Sequence, residues 1–336
     1  MTSIKSHLPA RHVELRTGTP YANLIRNQRL FADAVGGHFG ISPGDVLPMA
    51  GTTGAIEAVR NHVFRLSRKS SPTVLTVCPG YWRARESFEG FGFEVSSLRT
   101  EPLGFAVNEA ALVERVRKEN PDLIYLSLPN NPTGAIFDPV IIIAGAPQAT
   151  AVMIDLTLPS RELDTRALTA KLYQDFRGRR KLFIVGSTSK SHGTAEYRVG
   201  WVICAECEDA ARLREENRNV VASVSITEAM AQLGKAPTVL DLIERSFALL
   251  REGQKQGRFR VVTPERMAET GYVLVKSRVP AEAMRSAFDE NGISVMWGSE
   301  FGLTDEYIRL ETLEPASISI FVDVVNAHAA SRQSAP

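Results

Sequence analysis

The chain has 336 residues, enough for two domains at roughly 150 residues each. Its 39 Lys+Arg against 38 Asp+Glu leave a net charge of +1, which argues against a strongly basic nucleic-acid binder and against an acidic-tailed protein. With 44% hydrophobic and 23% charged residues it has the composition of a soluble globular protein rather than a disordered one. Three cysteines cannot form a disulfide framework, and the odd number suits a reducing compartment. The opening MTSIKSHLPARHVELRTG has no apolar run of the kind a signal peptide needs. The longest aliphatic stretch, Val140 to Ala144, is far too short to cross a bilayer. A cytoplasmic location is the expectation.

No repeat or low-complexity tract interrupts the chain. Taken in order, a helical pattern at Gly54–Ser67 leads to a β-branched run at Thr73–Val77, and a second helical pattern follows at Arg83–Phe91. Glu109–Asn120 carries its apolar residues at helical spacing. Strands are expected at Leu123–Ser127, Ala151–Ile154, Leu182–Val185 and Trp201–Cys204. These runs are short and apolar on both faces, as strands covered by helices on both sides must be. The alternation predicts an α/β fold with a mostly parallel, doubly wound sheet. Asp241–Gly253 reads as a linking helix. Beyond it, strands at Phe259–Thr263, Gly271–Lys276, near Ile293–Met296 and at Tyr307–Leu310 mix with helices at Ala281–Glu290 and Ala316–Ala330. This divides the chain into a large α/β domain, 21–250, and a small α+β domain, 251–336, with segment 1–20 expected to pack on the latter.

Five strand ends carry polar groups of a kind that binds ligands in α/β sheets. Ser187-Thr188-Ser189-Lys190 follows Leu182–Val185; a buried lysine there can form a Schiff base with a carbonyl, and two hydroxyls flank it. Arg198 comes eight residues later, and hydroxyls with a guanidinium make a phosphate cradle. Taken alone, Lys190 reads as an ordinary surface lysine. Pro129-Asn130-Asn131-Pro132-Thr133-Gly134 is a turn by composition, or a loop that presents Asn131 to a ligand. Asp155 ends the Ala151 strand, where a buried carboxylate needs a partner: a helix cap, an ion pair, or a protonated ring nitrogen. Gly51-Thr52-Thr53-Gly54 opens a helix with small residues and hydroxyls, an anion site or a plain N-cap. Tyr81, in Pro79-Gly80-Tyr81-Trp82, is a core aromatic or a group that stacks on a flat ring.

Together the five offer a phosphate site, a stacking aromatic, an amide, a carboxylate and a Schiff-base lysine. In these motifs the sequence resembles the class I/II aminotransferases, fold-type-I enzymes that use pyridoxal 5'-phosphate, and within them the histidinol-phosphate aminotransferase-like members. The resemblance runs from about Tyr21 to Arg309. It implies that Lys190 bonds the cofactor and shuttles a proton, and that Asp155 pairs with the ring nitrogen, so that the ring can accept electrons. It further implies that Asn131 bonds the ring hydroxyl oxygen and that Tyr81, rather than Trp82, stacks on the ring. Gly51, Thr52, Thr53, Ser187, Ser189 and Arg198 would hold the phosphate. Arg309, otherwise a solvated strand arginine, would clamp the substrate carboxylate. Tyr21 would reach the phosphate of a partner subunit in a homodimer. A small amino-acid substrate and a biosynthetic role follow from the same likeness; no metal, nucleic acid or membrane is implied.

Two features depart from the family pattern. After the Asp155 strand the family has Asp-x-Ala-Tyr, whereas this chain has Asp155-Leu156-Thr157-Leu158. Losing a donor to a charged ring oxygen costs about 1.5–3 kcal/mol, which would raise the Schiff-base titration by about 1–2 pH units. Only 20 residues precede Tyr21, a short arm for the family. Both features keep open another reaction of the same cofactor, such as decarboxylation, elimination, cyclisation or oxidation, because the fold does not decide which bond breaks. A cofactor-binding regulator is the non-enzymatic alternative; it lacks residues for a DNA-binding domain ahead of Tyr21, and the charge balance argues against it. Cys204-Ala205-Glu206-Cys207 has no second ligand pair and is discounted as a zinc site. His192 lines the pocket or has no role. Arg83, Arg85 and Arg161 read as solvated, and Ala210–Arg218 as an exposed helix face.

Overall fold

The computed structural model describes residues 20–217 and 221–327. The apolar runs form a seven-stranded sheet of β1 (Val46–Met49), β2 (Thr73–Cys78), β3 (Glu94–Arg99), β4 (Leu123–Ser127), β5 (Ala151–Asp155), β6 (Leu182–Ser187) and β7 (Gly200–Cys204), in the order β1-β7-β6-β5-β4-β2-β3. Neighbours pair in parallel from β6 to β3, and β7 is antiparallel to both β6 and β1. All strands but β7 therefore point the same way, and their carboxyl ends share one edge.

Alternation along each strand feeds two cores. Leu123, Tyr125, Met153 and Phe183 pack under α2 (Gly51–Leu66), α3 (Trp82–Phe91) and α7 (Cys207–Glu216), after α1 (Pro20–Phe39) has started the fold on the other side. Ile124, Leu126, Ile154 and Ile184 pack on that other face, against α1, α4 (Glu109–Glu119), α5 (Pro139–Gly145), α6 (Thr165–Phe176) and α8 (Ser223–Gln232). Asn108, Asp138 and Asp164 cap α4, α5 and α6 by accepting hydrogen bonds from backbone amides. The first turn of α2 has no side-chain cap, so its amides remain open to an anion.

The two strands that the sequence hides are β1 and β3, and both lie at the sheet edges. β1 contains Pro48, tolerated at an edge because no ladder bond is lost there. β3 reads EVSSLR and is mostly half-exposed, so it lacks an apolar signature.

The second sheet is antiparallel, with β8 (Phe259–Val261), β9 (Tyr272–Ser277), β10 (Met296–Trp297) and β11 (Tyr307–Glu311) in the order β10-β11-β9-β8. One face packs on α9 (Leu240–Gly253), α10 (Ala281–Glu290) and α11 (Pro315–Ala327). The expected division at 250/251 falls inside α9, whose Ile243, Phe247 and Leu250 belong to this second core, so the helix is part of the unit rather than a linker. The other face, through Leu274 and Tyr307, packs with Phe105 and Trp82 of the first unit. The Ile293–Met296 strand is shorter and later than expected. Segment 1–20, but for Pro20, and the last nine residues of the chain lie outside the described residues. Among those described, no helix is long and apolar enough to cross a membrane.

Candidate active site

Because β7 alone is reversed, its start meets the carboxyl ends of the other strands. Gly200 sits where a Cβ would lie 2.7 Å from both the Gly51 carbonyl carbon and the Gly186 oxygen. That close approach brings the first turn of α2 against the loop after β6. Gly51 itself has φ +70°, and a Cβ there would lie 2.8 Å from the Arg198 guanidinium, so Arg198 covers the α2 N-terminus. The Thr52 hydroxyl donates to Ser187 Oγ at 3.1 Å and lies 2.8 Å from Thr157 Oγ1. Thr188 is satisfied by the Thr194 hydroxyl at 2.8 Å. Ser189 is different: its Oγ is buried and has no hydrogen-bond partner among the described residues. The guanidinium over an uncapped helix start, with the Thr52 and Ser187 hydroxyls beside it, fits a bound phosphate, and the unpaired Ser189 hydroxyl follows in the same loop.

Asp155 ends β5 and is 6% exposed. Its Oδ1 accepts from the Thr157 amide at 3.0 Å, and its Oδ2 accepts from the Tyr125 hydroxyl at 3.0 Å. Burial pushes the carboxyl pKa up, and the Thr157 and Tyr125 hydrogen bonds pull against it without cancelling it. No cation faces this carboxylate among its described contacts, which suits a protonated ring nitrogen. Asn130 and Asn131 divide their roles. Asn130 Nδ2 donates to the Pro79 carbonyl at 3.0 Å and to Thr133 Oγ1 at 2.8 Å, tying the loop after β4 to the end of β2. Asn131 is held by its backbone amide, bonded to Ser127 Oγ at 3.1 Å, and its side-chain amide has no partner among the described residues.

Tyr81 precedes α3, with its hydroxyl on Thr53; burial, then the Asp155 and Tyr272 charges, raise its pKa. It thus stands between the phosphate cradle and Asp155, whereas Trp82 packs into the cluster with Phe105 and Tyr307. Lys190 Nζ lies 3.0 Å from Glu311 Oε1 and 5.0 Å from the Tyr272 ring centre. Burial pushes the ammonium down, but Tyr272 and Glu311 outweigh it and its pKa lies above the ordinary value. Arg309 stacks on the same ring at 4.4 Å; its pKa is lowered by burial and supported by Tyr272, Glu311, Tyr81 and Glu300. Leu158 is 6% exposed and offers no donor. The Tyr21 side chain lies outside the described residues.

The structure links Gly51, Thr52, Ser187 and Arg198 around the α2 start, ties Asp155 to them through Thr157, sets Tyr81 near Thr53 and Asp155, and gathers Lys190 and Arg309 at Tyr272; among the described residues no hydrogen bond joins Asn131 or Ser189 to these groups. It adds Thr157, Tyr125, Tyr272 and Glu311, which sequence reasoning missed. Thr157 and Glu311 each lie two positions after an identified residue, Asp155 and Arg309, and that alternation was the available signal. Tyr125 reads as a core aromatic. Tyr272 reaches the site only through its pairing with Glu311. Arg85 pairs with Glu89, and Arg161 with Asp241. Arg83 stacks on Trp82, and the cysteines are free. His192, bonded to the Ser191 hydroxyl, lines a cavity of about 550 Å³ with Thr157 and Ser187.

The doubly wound sheet is that of the fold-type-I enzymes, and a lysine, a buried carboxylate, an amide and an anion cradle lie at or just beyond the carboxyl ends of its strands. Residues 42–325 match the model of the family "aminotransferase class I and II", and the chain belongs to that family. Its cofactor is pyridoxal 5'-phosphate. The chain is 29% identical over 219 residues to histidinol-phosphate aminotransferase 2 of Archaeoglobus fulgidus, covering 63% of this chain and 60% of that protein. It is 29% identical over 221 residues to the 3-methylarginine biosynthesis aminotransferase ArgM of Streptomyces arginensis, covering 61% and 58%. The matches therefore span about three fifths of these relatives. The fold is similar to that of the Sinorhizobium meliloti histidinol-phosphate aminotransferase solved with pyridoxal 5'-phosphate, with a TM-score of 0.72 and 17% identity over 93% of this chain and 87% of that one.

Proposed function

We propose that this protein is a pyridoxal-phosphate-dependent aminotransferase that moves the amino group of an amino acid or amino-acid-like amine. The observation that supports the reading is that Asp155 and Lys190 lie at or just beyond the carboxyl ends of the neighbouring strands β5 and β6, with the unpaired Ser189 hydroxyl next to Lys190 in the chain. When bound, pyridoxal phosphate supplies an aldehyde carbon for amine exchange and a ring that accepts electrons.

The chain's own residues divide the remaining work. The α2 amides, Thr52, Thr53, Ser187, Ser189 and Arg198 fix the phosphate. Asp155 keeps a proton on the ring nitrogen, and Tyr125 and the Thr157 amide fix the orientation of its carboxylate. Asn131 would donate to the ring hydroxyl oxygen, and Tyr81 would cover a ring face. Lys190 would be the residue that holds the aldehyde carbon, and its Nζ would hold or release a proton. Arg309, stiffened by its stack on Tyr272, grips a substrate carboxylate in two places. We place the enzyme in the cytoplasm as a homodimer with a biosynthetic role, Tyr21 reaching the partner subunit's phosphate site.

The test follows the absorbance of cofactor-supplemented protein during addition of an amino-acid panel. A yellow band that bleaches while a keto acid appears supports transamination and identifies the donor. A band that persists as another product forms assigns the site to a different bond cleavage. No band at all with Lys190 intact refutes the reading.

A further inference from the structure

β9 and β11 place two groups on the catalytic lysine from the second sheet. Tyr272 and Glu311 are directly opposite each other in the β9–β11 ladder, so their side chains leave the sheet as neighbours. Glu311 Oε1 is 3.0 Å from Lys190 Nζ, and the Tyr272 ring centre is 5.0 Å from the same nitrogen. Arg309, two residues before Glu311 on the same strand face, stacks on the Tyr272 ring at 4.4 Å. A carboxylate thus sits at the point where the ε-amine waits, beside the cation assigned to the substrate carboxylate. About half of the Glu311 side chain is exposed, so an incoming molecule can reach it.

Amine exchange requires two amines to trade places on one carbon. The outgoing amine has to be held, and the incoming one arrives as an ammonium that must lose a proton before it can attack. We propose that Glu311, braced by Tyr272, is an ammonium dock that serves both amines in turn: Lys190 when it is off the cofactor, and the substrate when Lys190 is on it. The idea rests on the reading of Lys190 as the residue that bonds the cofactor. The exchange balances. The substrate ammonium passes one proton to the Glu311 carboxylate, and its nitrogen forms the new C–N bond. Within the adduct the substrate nitrogen passes a second proton directly to the lysine nitrogen; the Lys190 C–N bond then breaks, and the lysine nitrogen takes up the proton that Glu311 received and leaves as an ammonium. No net proton, electron or atom is left over. The raised pKa of Lys190 agrees with a carboxylate that favours the ammonium there. The charged and titratable groups around the dock are Lys190, Tyr272 and Arg309, with Glu300 and Tyr81 acting on Arg309.

The probe is n-propylamine, which carries an ammonium and no carboxylate, so that Arg309 plays no part. Full-length, cofactor-loaded protein is titrated and the visible band gives a dissociation constant. Wild type, Glu311→Gln and Glu311→Asp are compared, and melting temperature checks folding. Glu311→Gln is expected to bind the amine about two- to fivefold more weakly, the range of a part-exposed ion pair. Glu311→Asp is expected to recover part of that loss. Equal constants for wild type and Glu311→Gln overturn the dock, as does an Asp variant no better than the Gln variant. A wild type with no visible band instead defeats the cofactor assignment itself, so the two failures are distinct.

Discussion

Replacing Ser189 with alanine should act in opposite directions on the free and the cofactor-bound protein. Among the described residues the buried Ser189 hydroxyl has no partner, while its neighbours Ser187 and Thr188 are each bonded to a threonine hydroxyl. An unsatisfied buried hydroxyl carries a desolvation penalty of about 1–3 kcal/mol, which Ser189→Ala removes at the cost of little packing. The cofactor-free variant should therefore melt at the wild-type temperature or a few degrees above it. A bond from that hydroxyl to a charged phosphate oxygen is worth about 1.5–3 kcal/mol. At about 1.4 kcal/mol per tenfold, losing it should weaken pyridoxal-phosphate binding about ten- to a hundredfold. Thermal melts without cofactor and an absorbance titration with it read the two effects separately. A variant that melts lower without cofactor yet binds it as tightly as wild type would refute the phosphate cradle at Ser189.

Leu158→Tyr should restore a donor near the ring oxygen and lower the Schiff-base titration midpoint by about 1–2 pH units; an unchanged absorbance titration would remove Leu158 as the cause of any unusual midpoint. Asp155→Asn tests the buried carboxylate through stability. Burial raises the Asp155 pKa in the folded state, so charging it disfavours folding above the usual carboxylate range and costs nothing below it. The cofactor-free variant should therefore be more stable than wild type at pH 7, and the difference should fade as the pH falls towards about 4. A difference that is constant from pH 4 to 7 speaks against a raised carboxylate. Arg309→Ala should raise KM for amino-acid donors about ten- to a hundredfold, the worth of one charge-assisted bond or more, and leave n-propylamine binding near wild type. An equal loss with both ligands would make Arg309 a structural residue.

What the sequence displays is whatever belongs to a single strand end. Asp155 directly follows an apolar run, Asn131 and Lys190 lie in the loops just beyond one, and the runs themselves stand out because they are buried on both faces. The edge strands do not stand out: β3 is polar where water reaches it, and β1 contains a proline. The same limit governs the site. Glu311 is within reach of sequence reasoning because it shares a strand face with Arg309. Tyr272 is not, since its place beside Lys190 depends on the register between β9 and β11 and on how the second sheet meets the first.

The cradle illustrates the point most sharply. Nothing local says that Gly51, Gly186 and Gly200, far apart in the chain, must touch. The reversed strand β7 forces the contact: its first residue is pressed between the end of β6 and the start of α2, and a Cβ at Gly200 would collide with backbone on both sides. A Gly186 Cβ would in turn meet the Trp201 ring within 3 Å. Small residues at these positions let Arg198 lie over the open α2 amides, so the phosphate site depends on backbone proximity as much as on the hydroxyls that mark it in the sequence. A side chain at Gly200 should accordingly abolish cofactor binding even with every hydroxyl and Arg198 in place.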